Sequence, residues 1–331
     1  MADYKDIVGT KVTVVSSNPI NPTDGQVWYN TTDNVLRYRN PASTAAWASG
    51  GNLNSGRGAH GQFGTQTTSL AFGGLRSDAY QSTNESYNGT AWTEVGDLNT
   101  GRAAGGSAGT PGTAGLFING EKPGSPTTSG EVESWNGSAW TEITDTNTAS
   151  KFRPAAGNQT SALTMGGGSA VPEDIALCES WNGSAWTEVN DMNTARGTGA
   201  TAGADNQSGL VFGGGPPSFG VAHEATEQWN GTSWTNVADI NTAMRIGSGC
   251  GIATEALCMG RFTPSSPTYG NTESWNGSAW TEVGDMSTGV YFAGGSGTTS
   301  AALCVGGRTS PSNKDLATSE EFTAISTIAV D

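Results

Sequence analysis

Histidines, cysteines and clustered carboxylates are where reaction chemistry would start in this 331-residue chain, and they are sparse. His60 and His223 are the only histidines; they fall in different segments with no Ser or Cys motif beside either, so both read as turn or surface residues. Cys178, Cys250, Cys258 and Cys304 form no C-x-x-C and have no histidine at zinc-finger spacing. They read as buried free thiols, which suits folding in a reducing cell. No P-loop, H-E-x-x-H or EF-hand pattern occurs. The expectation is therefore a non-enzyme with no metal and no cofactor.

Charge narrows the partners. Fifteen basic residues against 30 acidic ones give a net charge of -15, which leaves little for a phosphate-binding patch or an anionic membrane surface. No apolar run approaches the roughly 20 residues that span a bilayer. Met1 to Asp6 lacks a basic and apolar leader, so no secretory signal is expected. Nucleic acid and membrane insertion are both set aside.

What recurs is glutamate with tryptophan. E-S-Y-N-G-T-A-W-T begins at Glu85; E-S-W-N-G-S-A-W-T begins at Glu133, Glu179 and Glu273, and E-Q-W-N-G-T-S-W-T at Glu227, with spacings of 48, 46, 48 and 46. Glu320-Glu321-Phe322-Thr323 is a worn further copy. A second marker precedes each copy, an apolar run ending in glycine such as Leu70-Ala71-Phe72-Gly73-Gly74, degenerate at Ile118-Asn119-Gly120 and Met259-Gly260. A third follows, as in Asp97-Leu98-Asn99-Thr100-Gly101-Arg102.

Each repeat predicts four strands. Strand one is rich in Gly and Ala, as over 103–109, and suits a crowded axis. Strand two is the apolar run. Strand three places Glu and Trp two apart, on one face. Strand four opens at the second Trp: Trp47, Trp92, Trp140, Trp186, Trp234 or Trp280. The Asn-Gly between strands three and four predicts a tight hairpin, because both residues tolerate positive φ. The tryptophans read as packing within the repeat rather than a stacking platform.

With its Gly-Gly doublet, strand-three aromatic and strand-four Trp, residues 45–324 resemble the kelch repeat. The resemblance implies an all-β fold, a six-bladed kelch-like β-propeller with four-stranded blades. The expected domains are an N-terminal β segment over 1–44 and a propeller over 45–331. Two closures are open: the Trp47 strand completes the sixth blade, or Val35–Tyr38 and 327–330 supply its last strands.

In such a fold the two-three loops share one face and differ in every blade, whereas the three-four turns are uniform. Divergent loops on a rigid scaffold are the expected binding surface. Their candidate contact residues are Arg76 and Tyr80 (loop 75–84), Lys122 (121–130), Phe219 and His223 (216–226), Arg261, Phe262 and Tyr269 (262–272 and its approach), and Arg308 (308–318). Arg57, Arg102, Arg153, Arg196 and Arg245 recur near strand one. They form either a cationic ring at the channel mouth or partners for the strand-three glutamates; repetition favours pairing, and predicts buried glutamates.

The Asn-Gly-Ser-Ala-Trp turns are similar to the Asp-box turns of sialidases, but Asn replaces Asp and the spacing is one residue shorter. Asp24-Gly25-Gln26-Val27-Trp28-Tyr29-Asn30-Thr31-Thr32-Asp33 is similar to a motif of bacteriophage virion proteins, and the whole layout resembles kelch-like virion proteins of marine cyanophages. This implies a particle-exterior protein in multiple copies, attached to other virion proteins through the N-terminal segment. It implies a tail- or fibre-associated adhesion module binding a host surface glycan or protein. A decoration or assembly protein is the alternative, and a glycan hydrolase a third reading.

Overall fold

The computed structural model describes residues 12–17, 19, 26–38, 45–124, 127–168, 175–215, 221–263, 266–309, 314–324 and 329–330. Phe219, Lys11 and Asp24-Gly25 lie outside them. The chain forms two compact units, one of residues 1–46 with 324–331 and one of 47–323.

The larger unit is an all-β propeller of six four-stranded antiparallel blades. Blade 1 comprises Gly61–Gly64, Ser69–Phe72, Asn84–Tyr87 and Trp92–Val95. Blade 2 comprises Gly106–Ala108, Gly115–Glu121, Thr128–Trp135 and Trp140–Ile143. Blades 3 and 4 run Ala155–Asn158 to Trp186–Val189 and Ala200–Asp205 to Trp234–Val237. Blade 5 runs Ser248–Ile252 to Trp280–Val283. Blade 6 takes Gly294–Gly297, Ala301–Val305 and Ser319–Thr323 from the C-terminal region and Ala46–Ser49 as its outer strand. Each strand one neighbours the next around a closed circle. The Trp47 strand thus closes the ring, and the competing closure is corrected: Ala329–Val330 pairs with Val35–Tyr38 in the smaller unit, not in a blade.

The recurring string does its work between blades. Strand-three and strand-four aromatics face each other across each hairpin, as in Trp135 and Trp140 with centroids 5.4 Å apart, a contact worth about 1 kcal/mol beyond its buried area. Three strand-four indoles reach back to the loop leaving the preceding blade: Trp92 donates to the Gly51 carbonyl at 2.9 Å, Trp186 to Thr144 at 3.1 Å and Trp234 to Asn190 at 3.1 Å.

Strand one is glycine-rich because neighbouring blades leave no room for a side chain. A Cβ on Gly106 would lie 2.6 Å from the Arg153 carbonyl and 2.7 Å from Ala155 Cβ. The Gly-Gly doublets end strand two with two positive φ values, as at Gly73 (62°) and Gly74 (92°), and the second amide donates to the next blade, Gly74 to the Arg102 carbonyl at 2.9 Å. In the degenerate copy Asn119 takes the first place at φ 62°.

The Asn-Gly turns form the expected hairpins and use the two residues differently. Only the glycine has positive φ, for example Gly137 at 95°. The loop holds four residues, and the Asn136 carboxamide oxygen accepts the Ser138 and Ala139 amides at 2.9 Å each. Asparagine serves here as a side-chain acceptor, not as a left-handed residue.

The smaller unit is a sheet of Thr13–Val15, Val27–Asn30, Val35–Tyr38 and Ala329–Val330, the first pair parallel. The hairpin around Thr31–Asn34 is tied by Asn30 Oδ1 accepting the Thr32 amide at 2.9 Å and by an Arg37–Asp33 ion pair at 2.8 Å. Trp28 is buried, whereas Val14 is 64% exposed, with Val12 at 41% and Leu36 at 40%.

Candidate functional site

The recurrent arginines and glutamates are internal. Glu85, Glu133, Glu179, Glu227 and Glu273 are buried, as is Glu320. Each receives the backbone amide of the loop that enters its blade, from Asn54, Asn99, Asn147, Asn193, Asn241 and Ser287 at 2.7–2.8 Å. Arg57 pairs with Glu85 at 2.8 Å, Arg102 with Glu133, Arg153 with Glu179 at 2.9 Å and Arg196 with Glu227 at 2.5 Å. Burial lowers the pKa of Arg57, Arg153 and Arg196, and the paired glutamate opposes the shift.

The arginines are not all in phase. The residue whose carbonyl accepts from the preceding Gly-Gly doublet is Arg57, Arg102 or Arg196 in three blades, but Met244 in blade 5. Arg245 lies one residue later, fully buried, with its backbone paired to Phe262. In blade 3 Ser150 takes this place, and Arg153 reaches Glu179 from further along the chain.

Five residues after each loop Asn or Ser comes a ring position: Ala59, Ala104, Phe152, Thr198, Ile246 and Phe292. All six have φ between 53° and 58°, unusual for any non-glycine and strained for β-branched Thr198 and Ile246. The compensation is a closed circle of backbone hydrogen bonds at the axis. Ala104 donates to Ala59 (2.8 Å), Phe152 to Ala104 (2.7 Å), Thr198 to Phe152 (3.0 Å), Ile246 to Thr198 (3.0 Å), Phe292 to Ile246 (3.1 Å) and Ala59 to Phe292 (2.9 Å). Phe152 and Phe292, from opposite blades, stack across this ring with centroids 6.0 Å apart. Phe292 continues to Tyr291 (5.3 Å) and Tyr291 to Phe262 (5.2 Å), so an aromatic row crosses the centre of the two-three face. Lys151 Nζ lies 5.7 Å from the Phe152 centroid.

Behind the ring, the channel is lined by small and polar residues including Ser107, Thr201, Ser248, Gln62 and His60, around a space of about 140 Å³. Both His60 nitrogens are buried without a hydrogen-bond partner, and burial beside Arg57 lowers its pKa to about 3, so the imidazole is neutral.

The candidate contact residues fall in separate places. Arg76 and Arg308 share a cleft of about 350 Å³ with Gly56, Ser77, Asp78, Lys314 and Asp315, between the loops of blades 1 and 6. Arg308 donates to Asp315 at 2.7 Å and to Asp78 at 2.9 Å; burial works to lower its pKa, but these two pairs hold it above the ordinary value. Ser77 donates its amide to Asp315 at 2.6 Å. Arg261 lies over the Tyr269 ring at 4.6 Å, and Phe262 joins the aromatic row. Tyr80 has its pKa raised by burial and then by Glu121. Lys122 pairs with Glu131 of its own blade, and the His223 amide donates to Gly214 at 2.9 Å, its pKa lowered by burial and by Arg196 and Arg245. Phe152, Tyr291, Phe292 and Lys314 were not among the expected residues. The constant five-residue step from the loop Asn or Ser was the available signal for the first and third.

Among the described residues no three His, Cys, Asp or Glu side chains converge to hold a metal ion. No family model and no curated protein matches the chain. Solved structures do match: the structure of YjhT, a kelch-type β-propeller, superposes with a TM-score of 0.68 at 13% identity, covering 85% of this chain and 99% of that one. At that identity the likeness establishes the propeller fold.

Proposed function

We propose that this chain is a bacteriophage virion protein, a tail- or fibre-associated adhesion module that binds a host surface glycan or protein through the two-three loops. The observation that carries the reading is the asymmetry of the propeller faces. The three-four turns repeat one Asn-capped geometry, whereas the two-three connections differ in length, charge and aromatic content on the same rigid ring. Two of them form extra hairpins, Leu75–Arg76 with Ala79–Tyr80 and Arg308–Thr309 with Lys314–Asp315. The smaller unit, with Val12, Val14 and Leu36 exposed, suits attachment to another virion protein.

Antibody labelling of intact particles of the encoding phage, viewed by electron microscopy, tests this. Label at tail tips or fibres is expected. Label spread over the capsid would favour decoration without recognition, and unlabelled particles would remove the virion assignment. Deleting residues 1–40 is expected to abolish incorporation while the propeller still folds.

A further inference from the structure

In a chain of net charge -15, the positions of its uncommitted cations are informative. Arg57, Arg102, Arg153 and Arg196 are consumed in buried pairs, and Arg37, Lys122, Lys151 and Arg308 each have a carboxylate partner. Setting aside the buried Arg245, the described residues leave Arg76, Arg261 and Lys314 without an ion pair. Arg76 and Lys314 lie in the two-three connections of blades 1 and 6, and Arg261 near the two-three end of strand Glu255–Thr263 in blade 5; these blades are consecutive around the ring.

Arg76 and Lys314, both exposed, flank the 350 Å³ cleft, a size at the lower end of small-ligand sites. The cleft's carboxylates are already engaged: Asp315 accepts from Arg308 and from the Ser77 amide, and Asp78 accepts from Arg308. Among the described residues Arg76 donates to the Ser55 hydroxyl alone, at 3.1 Å. Ser77 and Asp78, at φ 48° and 61°, hold a strained turn that these bonds fix in place. The cleft therefore offers cations on a preset frame. Arg308 links it to the aromatic row, because its backbone exchanges hydrogen bonds with Tyr291 at 2.7 and 3.0 Å. At the far end Arg261 lies on Tyr269 with Nε and Nη1 unpartnered.

We propose that the sector made by the two-three loops of blades 5, 6 and 1 binds an acidic saccharide. A carboxylate or sulfate sits between Arg76 and Lys314, where charge-assisted hydrogen bonds are strongest, and sugar C–H faces lie along Phe262 and Phe292. The chain's remaining negative charge acts weakly there, being screened over about 8 Å at physiological salt. This inference rests on the host-recognition reading and narrows its ligand.

Native electrophoresis of the full chain through gels holding polygalacturonate, dextran sulfate or neutral dextran tests it. Retardation by an acidic polymer and not by dextran is expected; polygalacturonate alone assigns a carboxylate, dextran sulfate alone a sulfate. The double variant Arg76→Ala/Lys314→Ala should bind at least tenfold more weakly, with unchanged melting temperature, whereas Thr141→Glu, which also makes the chain more negative but on the exposed outer strand of blade 2, should bind as the parent does. Equal retardation of the double variant, retardation by dextran only, or none at all overturns the proposal. Fluorescently labelled chain on host cells separates the two failures. Cells that still bind it leave recognition standing with a different ligand, and cells that do not remove both.

Discussion

Glu133 shows what one side chain does in this repeat. Its carboxylate takes the Asn99 amide and carboxamide at 2.8 Å each and pairs with Arg102, and both Glu133 and Arg102 are out of solvent. Glu133→Gln keeps the shape but leaves a guanidinium charge buried without its counter-charge, so it should cost about 3–5 kcal/mol in urea unfolding; a loss under 1 kcal/mol would contradict the pairing account. His60 gives a second test. Its folded pKa of about 3 lies below the unfolded value near 6.5, so its contribution is present above pH 6.5 and is lost as pH falls towards 3. The His60 imidazole resonance should not titrate between pH 7.5 and 5, and stability should fall over pH 6.5 to 4 with a shallower slope in His60→Gln. The cysteines are buried, with Cys178, Cys250 and Cys304 pushed up to about 12. Native protein should leave a thiol reagent unconsumed until it unfolds.

Strand identities were readable because the motif is built from residues with a single use. Trp opens strand four in five blades at the expected residue, and Gly-Gly marks two consecutive positive φ values. The ring position was not readable from residue type: Ala, Phe, Thr and Ile are poor left-handed residues, and a closed circle of tertiary hydrogen bonds overrides that preference. The arginine phase was lost similarly, since Arg153 and Arg196 reach the same kind of glutamate by different paths. The Asn-Gly signal located the turn but not its conformation. Crowding at the axis makes a further prediction. Gly106→Ala must displace the Arg153 carbonyl or Ala155, and should cost about 1–3 kcal/mol in denaturant unfolding.

At the scale of the propeller, closure depends on Ala46–Ser49 completing blade 6. Trp47 packs on Phe322 at 5.2 Å and donates to Thr272 at 3.0 Å; Tyr87 reaches Glu321 at 2.6 Å, and Gln66 reaches the carbonyls of Ala302 and Phe322, joining first blade to last. Deleting residues 1–40 should leave a cooperative melt, whereas deleting 1–50 bares the Ser319–Thr323 edge and should give an aggregating chain. A cooperative, soluble 1–50 deletion would show that the ring does not need its closing strand. The closed ring matters because it holds six dissimilar loops on one face. Hydrogen exchange of the full chain, with and without envelope extract from host cells, tests most directly whether that face is the one that binds. Protection confined to 75–84, 262–272 and 308–318 is predicted. Protection at the Asn-Gly turns instead, or no protection anywhere, would contradict it.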